Sequence, residues 1–333
     1  MTRWQHYVAA LLTIATGASA QSRLFIGSDT VPTAVESIYA RGLRYLVNTQ
    51  QADGSWDDQY GREPGVVGLA VLAMLACGED PNVGPHQVAI HRGLRYILSC
   101  ADAKTGQIGL PATLTMYSHG FATLALAEAY GEVDEPGLGP ALQRGVDLIV
   151  AAQKRNTRGA WRYKADSTDA DTTVSGAQMV ALFAARNAGI AVPDDSIVSG
   201  LKFFRSCQDP AGGIGYDGAG RSVTLTSIGM LVFTLARQKD TAAYRTAASV
   251  FKQASEGERN ILNPYHAYYA SQAAFHCDEA TWQAWNQVNI AGMQQHQGSD
   301  GSLFGGNYGS CFNTAAGLLS LALNYRYLPI YER

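Results

Sequence analysis

The chain has 333 residues, of which 47% are hydrophobic and only 16% are charged. This length and composition allow a large buried core, so the chain is not a disordered tail. The formal net charge is −3 and no run of basic residues occurs, which argues against nucleic acid as a partner.

The first twenty residues have the pattern of a secretory signal peptide. Arg3 supplies a short positive region, an apolar stretch covers 8–15, and the small residues 18–20 form a cleavage site before Gln21. The apolar stretch is too short to span a bilayer, and so is every later one. We therefore expect an exported protein, periplasmic or extracellular, with residues 21–333 as one mature domain. A retained N-terminal anchor is the weaker alternative.

The mature region contains internal repeats. The segment 41–56, RGLRYLVNTQQADGSW, recurs with variation, and the glycines equivalent to Gly42 follow at spacings of 51 to 55 residues. A degraded copy lies at 245–253, and a last copy ends at Ser302. Six units are therefore present, as in repeat architectures.

Each unit is predicted to contain two helices. The first helix is amphipathic, and in the first unit Thr33 and Glu36 form a capping box at its start. The apolar positions on one face of that helix are Val35, Ile38, Leu46 and Val47. The second helix of each unit is apolar nearly all round, which predicts burial on every side. The second helices are predicted at 66–76, 119–130, 173–188, 224–237, 268–275 and 313–325.

Six buried helices, each preceded by a half-exposed one, close most simply into an inner ring within an outer ring. This arrangement is an all-α (α/α)6 toroid. A linear solenoid is the competing layout, but it would leave one face of each inner helix in water.

The pattern at 41–56 resembles the QW repeat of squalene and oxidosqualene cyclases, which protein prenyltransferase β-subunits share in looser form. The second copy has Ala101 in place of Gln, and the last copy has Leu303 in place of Trp. The resemblance covers the whole mature chain and implies the toroid fold of this terpenoid cyclase and prenyltransferase superfamily. From the residues alone, the Gln can bond backbone groups at the end of a neighbouring helix while the Trp covers the turn. We therefore interpret the motif as structural.

All inner helices run in one direction, so their N-terminal ends surround one mouth of the ring. Polar and aromatic residues at these starts, above apolar walls, suit a hydrophobic small molecule such as an isoprenoid or lipid. Tyrosine faces there can also stabilise a cation. The candidate substrate-binding residues are Tyr117, His119, Arg221, Tyr265, His266, Tyr268, Tyr308 and Cys311.

The segment 169–173, Asp-Ala-Asp-Thr-Thr, resembles the Asp-x-Asp-Asp-Thr box of squalene-hopene cyclases. The resemblance implies that Asp171 is the acid that protonates a terminal alkene and that Asp169 tunes it. Thr172 replaces the last Asp of the box. Two carboxyl groups near a helix start can have pKa values that are pushed apart. The competing interpretation is that Asp171 only caps the following helix.

The zinc site of protein prenyltransferases is missing from the sequence. Gly309 stands where their His would be, and the preceding helix start at 265–268 contains no Asp-x-Cys. His119, His266 and Cys311 would have to form any different site. The five cysteines are odd in number and widely spaced, unlike a disulfide framework. We expect neither a metal nor another cofactor.

Two further functions stay open from the sequence. One is a binding module that holds a ligand or a protein at the same rim without catalysis, and contact with a membrane surface is compatible with either. The other is a sugar-active (α/α)6 lyase or hydrolase that uses a pair of carboxylates. Inner walls rich in Val, Leu and Ala argue against sugar, and a single α-domain argues against a complete triterpene cyclase.

Overall fold

The structure is a computed structural model that describes residues 31–113, 115–254, 261–303 and 308–331. The predicted signal peptide and its cleavage site lie outside the described residues. From Val31 onward the chain forms one compact unit. None of the helices in the described ranges is both long enough and apolar enough to cross a membrane.

The described residues form twelve α-helices and no strands. The helices alternate between outer and inner positions. The outer helices are α1 (Thr33–Thr49), α3 (Gln87–Ser99), α5 (Leu138–Arg155), α7 (Asp194–Ser206), α9 (Ala242–Gln253) and α11 (Glu279–His296). The inner helices are α2 (Pro64–Leu75), α4 (Met116–Ala129), α6 (Thr172–Asn187), α8 (Val223–Leu235), α10 (Pro264–Cys277) and α12 (Ser310–Ala322).

The inner helices form a closed ring. Each contacts the next inner helix in chain order, and α12 contacts α2. The outer helices pack around this ring, each against the inner helix that precedes it, with α1 against α12. The predicted (α/α)6 toroid is confirmed, and the linear solenoid is wrong because the first and last units meet.

Burial follows the composition of each helix. The inner helices are buried almost along their whole length, whereas the outer helices bury one face. Small residues allow the inner helices to approach closely. A Cβ added to Gly65 of α2 would lie 2.6 Å from the Cα of Ser118 in α4, closer than such atoms can come. The core is therefore an inner ring of tightly packed, mostly apolar helices.

Two details of α1 differ from the prediction. Helix α1 begins at Thr33 after an extended Pro32, and no side chain caps it. The predicted capping box of Thr33 and Glu36 is wrong, because Thr33 already lies inside the helix and the chain enters through Pro32. Val35, Ile38 and Leu46 are buried as expected, but Val47 is 36% exposed because it lies at the edge of the apolar stripe.

The repeat glutamines join consecutive units. Gln50 Nε2 donates to the carbonyl oxygen of Gly54 at 3.1 Å and to that of Ala89, in the next outer helix, at 2.9 Å. Gln153 and Gln208 make equivalent pairs of bonds. The amide of Gln297 reaches α1 and so connects the last unit to the first. These are the backbone contacts that the structural interpretation of the motif predicts.

Gln153→Ala should lower the free energy of unfolding by about 1 to 3 kcal/mol, because it leaves one buried and one partly buried carbonyl group without their donor. Those acceptors are Gly159 and Ser196, each 2.9 Å from Gln153 Nε2. Gln143 lies on the same helix and bonds Asp147 at the surface, so Gln143→Ala is the matched control. Equal denaturant midpoints for the two variants would contradict this role.

Candidate functional site

A cavity of about 540 Å³ lies among the N-terminal ends of the inner helices. Half of the residues that line it are aromatic, and among the described lining residues none is Lys, Arg or His. The lining residues are Tyr60, Glu63, Gly65, Val66, Leu69, Thr113, Thr115, Tyr117, Ser118, Phe121, Tyr163, Thr173, Tyr216, Tyr265, Tyr308 and Phe312. Such a lining suits an apolar ligand with few polar anchors.

Aromatic rings contact one another along one side of the cavity. The ring of Tyr265 lies 5.1 Å from that of Tyr269 and 6.3 Å from that of Tyr308, measured between centroids. Tyr308 in turn lies 5.0 Å from Phe312. Tyr265, Tyr308 and Phe312 line the cavity, while Tyr269 is buried behind them and supports the ring of Tyr265.

Asp171 caps helix α6 from a fully buried position. Its Oδ1 accepts hydrogen bonds from the backbone N–H groups of Thr173 and Val174, both at 2.9 Å, and its side chain has no solvent exposure. Asp171 is therefore the N-cap of α6, as the competing interpretation predicted. The other carboxyl oxygen, Oδ2, takes no part in the cap and faces Arg162.

Burial raises the pKa of the Asp171 carboxyl above its ordinary value, although bonds from Thr173 and the charge of Arg162 act in the opposite direction. Arg162 Nε lies 3.5 Å from Asp171 Oδ2, and Arg162 Nη1 lies 3.2 Å from Asp169 Oδ2. The Asp169 side chain is 65% exposed. The two aspartates are therefore connected through one arginine that the sequence analysis did not identify.

A chain of hydrogen bonds connects Asp171 with the cavity. The Thr173 hydroxyl lies 2.5 Å from Asp171 Oδ1, and the Tyr117 hydroxyl bonds Thr173. Thr173 and Tyr117 both line the cavity. In this arrangement the Thr173 hydroxyl donates to Asp171 and the Tyr117 hydroxyl donates to Thr173. A proton can leave Asp171 along the same contacts once the Thr173 hydroxyl turns to accept from the carboxyl. Asp171 therefore reaches the cavity through the Thr173 hydroxyl.

His119 does not line the cavity, contrary to the prediction. The backbone N–H of Ile108 donates to His119 Nδ1 at 3.0 Å, and Nε2 lies 3.0 Å from the carbonyl oxygen of Gly145. Nδ1 is thus the acceptor and Nε2 the donor of a neutral ring. Burial lowers the pKa of His119 to about 4. The imidazole is fully buried and connects the turn at Ile108 with helices α4 and α5. We call this contact between a turn and the start of an inner helix the joint.

The same joint recurs in other units, which explains why His119 is structural. Near the starts of α6, α8 and α12, a hydroxyl accepts the backbone N–H of the equivalent turn residue at 3.0 Å. The hydroxyls belong to Ser175, Thr226 and Thr314. His119 occupies this repeat position in the second unit. Alignment of the repeat units in the sequence could therefore have shown that His119 is structural.

Four other predicted rim residues also lie away from the cavity lining. Arg221 lies 3.6 Å from Asp209 at the surface, and buried His266 lies 3.0 Å from the Thr224 hydroxyl. Tyr268 is buried beneath the rings of Phe121 and Tyr269, and Cys311 is buried inside α12. Of the eight predicted substrate-binding residues, Tyr117, Tyr265 and Tyr308 line the cavity.

Sequence reasoning missed residues that reach the cavity from the loops before the inner helices. Tyr163 follows the Trp of the third unit, and Tyr216 lies in the glycine-rich turn of the fourth. The guanidinium of Arg162 lies over both rings, 5.4 Å and 5.3 Å from their centroids. Glu63 directly precedes α2 and is the acidic residue of the lining. Its position before a helix-starting Pro was the available signal.

A group of side chains that could hold a metal lies elsewhere in the described chain. Cys77, Glu79 and His86 follow the C-terminal end of α2, and their ligand atoms lie within 4.8 Å of one another. Burial raises the pKa of the Cys77 thiol to about 11, which disfavours the thiolate that binds metal. His119, His266 and Cys311, which would have to form any different zinc site, do not form such a group within the described residues.

Comparison with solved structures identifies the fold. A variant of the type II terpene cyclase MstE from Scytonema, in complex with geranylgeranyl dihydroxybenzoate, aligns with a TM-score of 0.64 at 15% identity. The alignment covers 89% of this chain and 98% of that one. This chain has the fold of type II terpene cyclases. The resemblance to terpenoid cyclases is therefore confirmed at the level of the toroid.

A second group of similar structures has a different activity. The α-1,6-mannanase GH76A of Salegentibacter sp. HEL1_6 aligns with a TM-score of 0.64 at 7% identity, over 86% of this chain and 98% of that one. No model of a protein family matches the sequence, and no curated protein matches it. Identities this low concern the fold alone, so function has to be argued from the cavity.

Proposed function

We propose that this protein is a terpenoid cyclase-like enzyme that binds an isoprenoid in the aromatic cavity and starts its cyclisation with a proton from Asp171. The observation that carries the proposal is the hydrogen-bonded connection from buried Asp171 through Thr173 to the cavity. A buried carboxyl with a raised pKa retains its proton more readily than an exposed one. Asp171 then acts as a general acid.

In the proposed reaction, the Asp171 proton passes to a terminal alkene of the substrate through the Thr173 hydroxyl. The π electrons of a neighbouring alkene attack the resulting carbocation and form the ring bond. The last carbocation loses a proton to water, and Asp171 regains a proton from water. The product therefore has the same formula as the substrate, and the acid is restored. Tyrosine faces on the cavity wall stabilise the positive charge while it exists.

The sugar-active alternative receives less support from the cavity. The inactive mannanase variants among the similar structures have two neighbouring aspartates replaced. In this chain, Asp57 pairs with Arg62 at the surface, and Asp58 accepts the backbone N–H of Phe312. Asp194 and Asp195 lie at the start of the outer helix α7. Neither neighbouring pair lines the cavity.

Incubation with squalene, polyprenols and aromatic compounds that carry a geranylgeranyl chain tests the proposed function. We expect a product with unchanged mass and fewer double bonds, detected by mass spectrometry and NMR. Thermal protection selects the substrate, and lipids that copurify with the protein supply further candidates. If a ligand binds and no product forms, the non-catalytic binding module replaces the cyclase.

The N-terminal pattern supports an exported protein. Residues 1–20 combine a positive start, an apolar stretch and a small-residue cleavage site. We therefore infer that the cavity operates in the periplasm or outside the cell. N-terminal sequencing of the secreted protein should identify Gln21 as the first residue, and an uncleaved N-terminus would contradict the inference.

A further inference from the structure

Glu63 brings a carboxyl group into the cavity for which the cyclisation described above has no use. The residue is only 8% exposed and directly precedes α2. Its Oε1 lies 2.5 Å from the Thr113 hydroxyl, which donates to it. Its other oxygen, Oε2, is buried and has no hydrogen-bond partner in the described part of the chain. A buried carboxyl oxygen in this state is open to a ligand that can pair with it.

No positive side chain on the described cavity lining pairs with this carboxyl group. Lys, Arg and His are absent from the described lining residues. Arg62, the neighbour in sequence, forms ion pairs with Asp53 and Asp57. Arg162 is paired with the two aspartates of the 169–171 segment. The described cavity lining therefore carries a carboxyl group without a basic partner, at the N-terminal end of α2, where the helix dipole favours a negative group.

The surroundings of Glu63 are also suited to positive charge. Rings of Tyr60, Tyr117, Tyr265 and Tyr308 share the cavity with it. Aromatic faces attract cations electrostatically and solvate the alkyl groups around a quaternary ammonium. Leu69 and other apolar residues of the inner helices supply a wall for a hydrocarbon chain. An anionic head group would instead meet Glu63 and find no basic partner on the lining.

We propose that the cavity recognises a positive centre carried by an apolar chain, namely a protonated or quaternary ammonium amphiphile, with Glu63 as its counter-charge. The inference uses the ligand cavity of the proposed function and requires no turnover. The proposed ligand differs in charge from the substrate in the MstE complex, which is geranylgeranyl dihydroxybenzoate. The isoprenoid bound here would carry a neutral or positive head group.

Calorimetric titration with three matched ligands tests the proposal. Decyltrimethylammonium, decanol and decyl sulfate share one chain length and differ in charge, and all are used below micelle-forming concentrations. The wild-type protein should bind the ammonium compound at least about tenfold more tightly than the alcohol, and the sulfate more weakly than both. Equal affinity for ammonium and alcohol would overturn the proposal.

Variants of Glu63 test whether its carboxyl group is the counter-charge of the bound ammonium. Glu63→Gln should weaken ammonium binding about tenfold or more and leave decanol binding unchanged, because the shape persists while the charge is lost. Glu63→Asp, which keeps the charge, should bind ammonium more tightly than Glu63→Gln. The matched control is Glu132→Gln, at an exposed carboxyl outside the cavity. An equal loss in Glu63→Gln and Glu132→Gln would refute the assignment, and melting temperatures verify folding.

The two proposals fail independently. Asp171→Asn should retain the preference for ammonium, since it leaves Glu63 and the lining tyrosines in place. If that preference is present and no isoprenoid is converted, the cyclase proposal fails and the ammonium site stands. If products form while Glu63→Gln binds ammonium like the wild type, the ammonium site fails and the cyclase stands.

Discussion

Asp171→Asn is expected to abolish product formation while ligand binding and the melting temperature stay near those of the wild type. The amide keeps the oxygen that accepts the N–H groups of Thr173 and Val174, but it has no acidic proton to give. Product yield is measured with the isoprenoid that best protects the protein thermally. Binding of the same compound to the variant is measured in parallel.

Comparison with two further variants separates the acid from the cap. Asp171→Ala should lose about 0.5 to 2 kcal/mol of stability, because it removes the N-cap acceptor. Asp278 caps the outer helix α11 by accepting the Thr281 N–H at 2.9 Å, so Asp278→Asn is a cap control remote from the cavity lining. Asp278→Asn should not change product yield. Wild-type yield from Asp171→Asn would show that Asp171 is a cap alone.

Acidification should destabilise this protein through His119. The folded-state pKa of His119 is about 4, and the pKa of an unperturbed His is about 6.5. Between these values the unfolded chain binds a proton that the folded chain excludes. The contribution of His119 is therefore complete above pH 6.5 and is lost as the pH falls toward 4, by about 3 kcal/mol in total. Denaturant unfolding from pH 7 to pH 4.5 measures this loss.

His119→Thr provides the control, because Thr226 and Thr314 fill the same joint in other units. The variant should be less stable at pH 7, where it loses the bond to Gly145 and leaves a small void. Its stability should fall less steeply on acidification than that of the wild type. Parallel pH profiles for the two proteins would show that His119 is not the titrating group.

The six-unit toroid was predictable because burial is encoded in composition. Helices such as α2, which is apolar on every side, can be stable only inside the molecule. The repeat spacing then implies one outer and one inner helix for each unit. The predicted first residues of the helices were less accurate than the predicted number of helices. For example, α10 begins at Pro264, where Asn263 caps it, four residues before the prediction.

The box at 169–173 was also visible in the sequence, and with it the position of Asp171 at a helix start. The sequence did not show the position of Asp171 relative to the cavity. Its carboxyl points toward Arg162 and Thr173, and only the second of these lines the cavity. Local spacing places a side chain on a helix turn, but its partners come from segments that pack against that turn.

The sequence by itself thus determined the repeat number, the two rings and the helix ends that surround the cavity. These properties depend on periodicity and composition within about fifty residues, as in other repeat proteins. The tertiary structure decided which side chains line the cavity. Glu63, Tyr163 and Tyr216 come from loops of different units, while His119 is held by its own joint. Ring closure brings those loops together, and contacts over such distances leave no periodic signal in the chain.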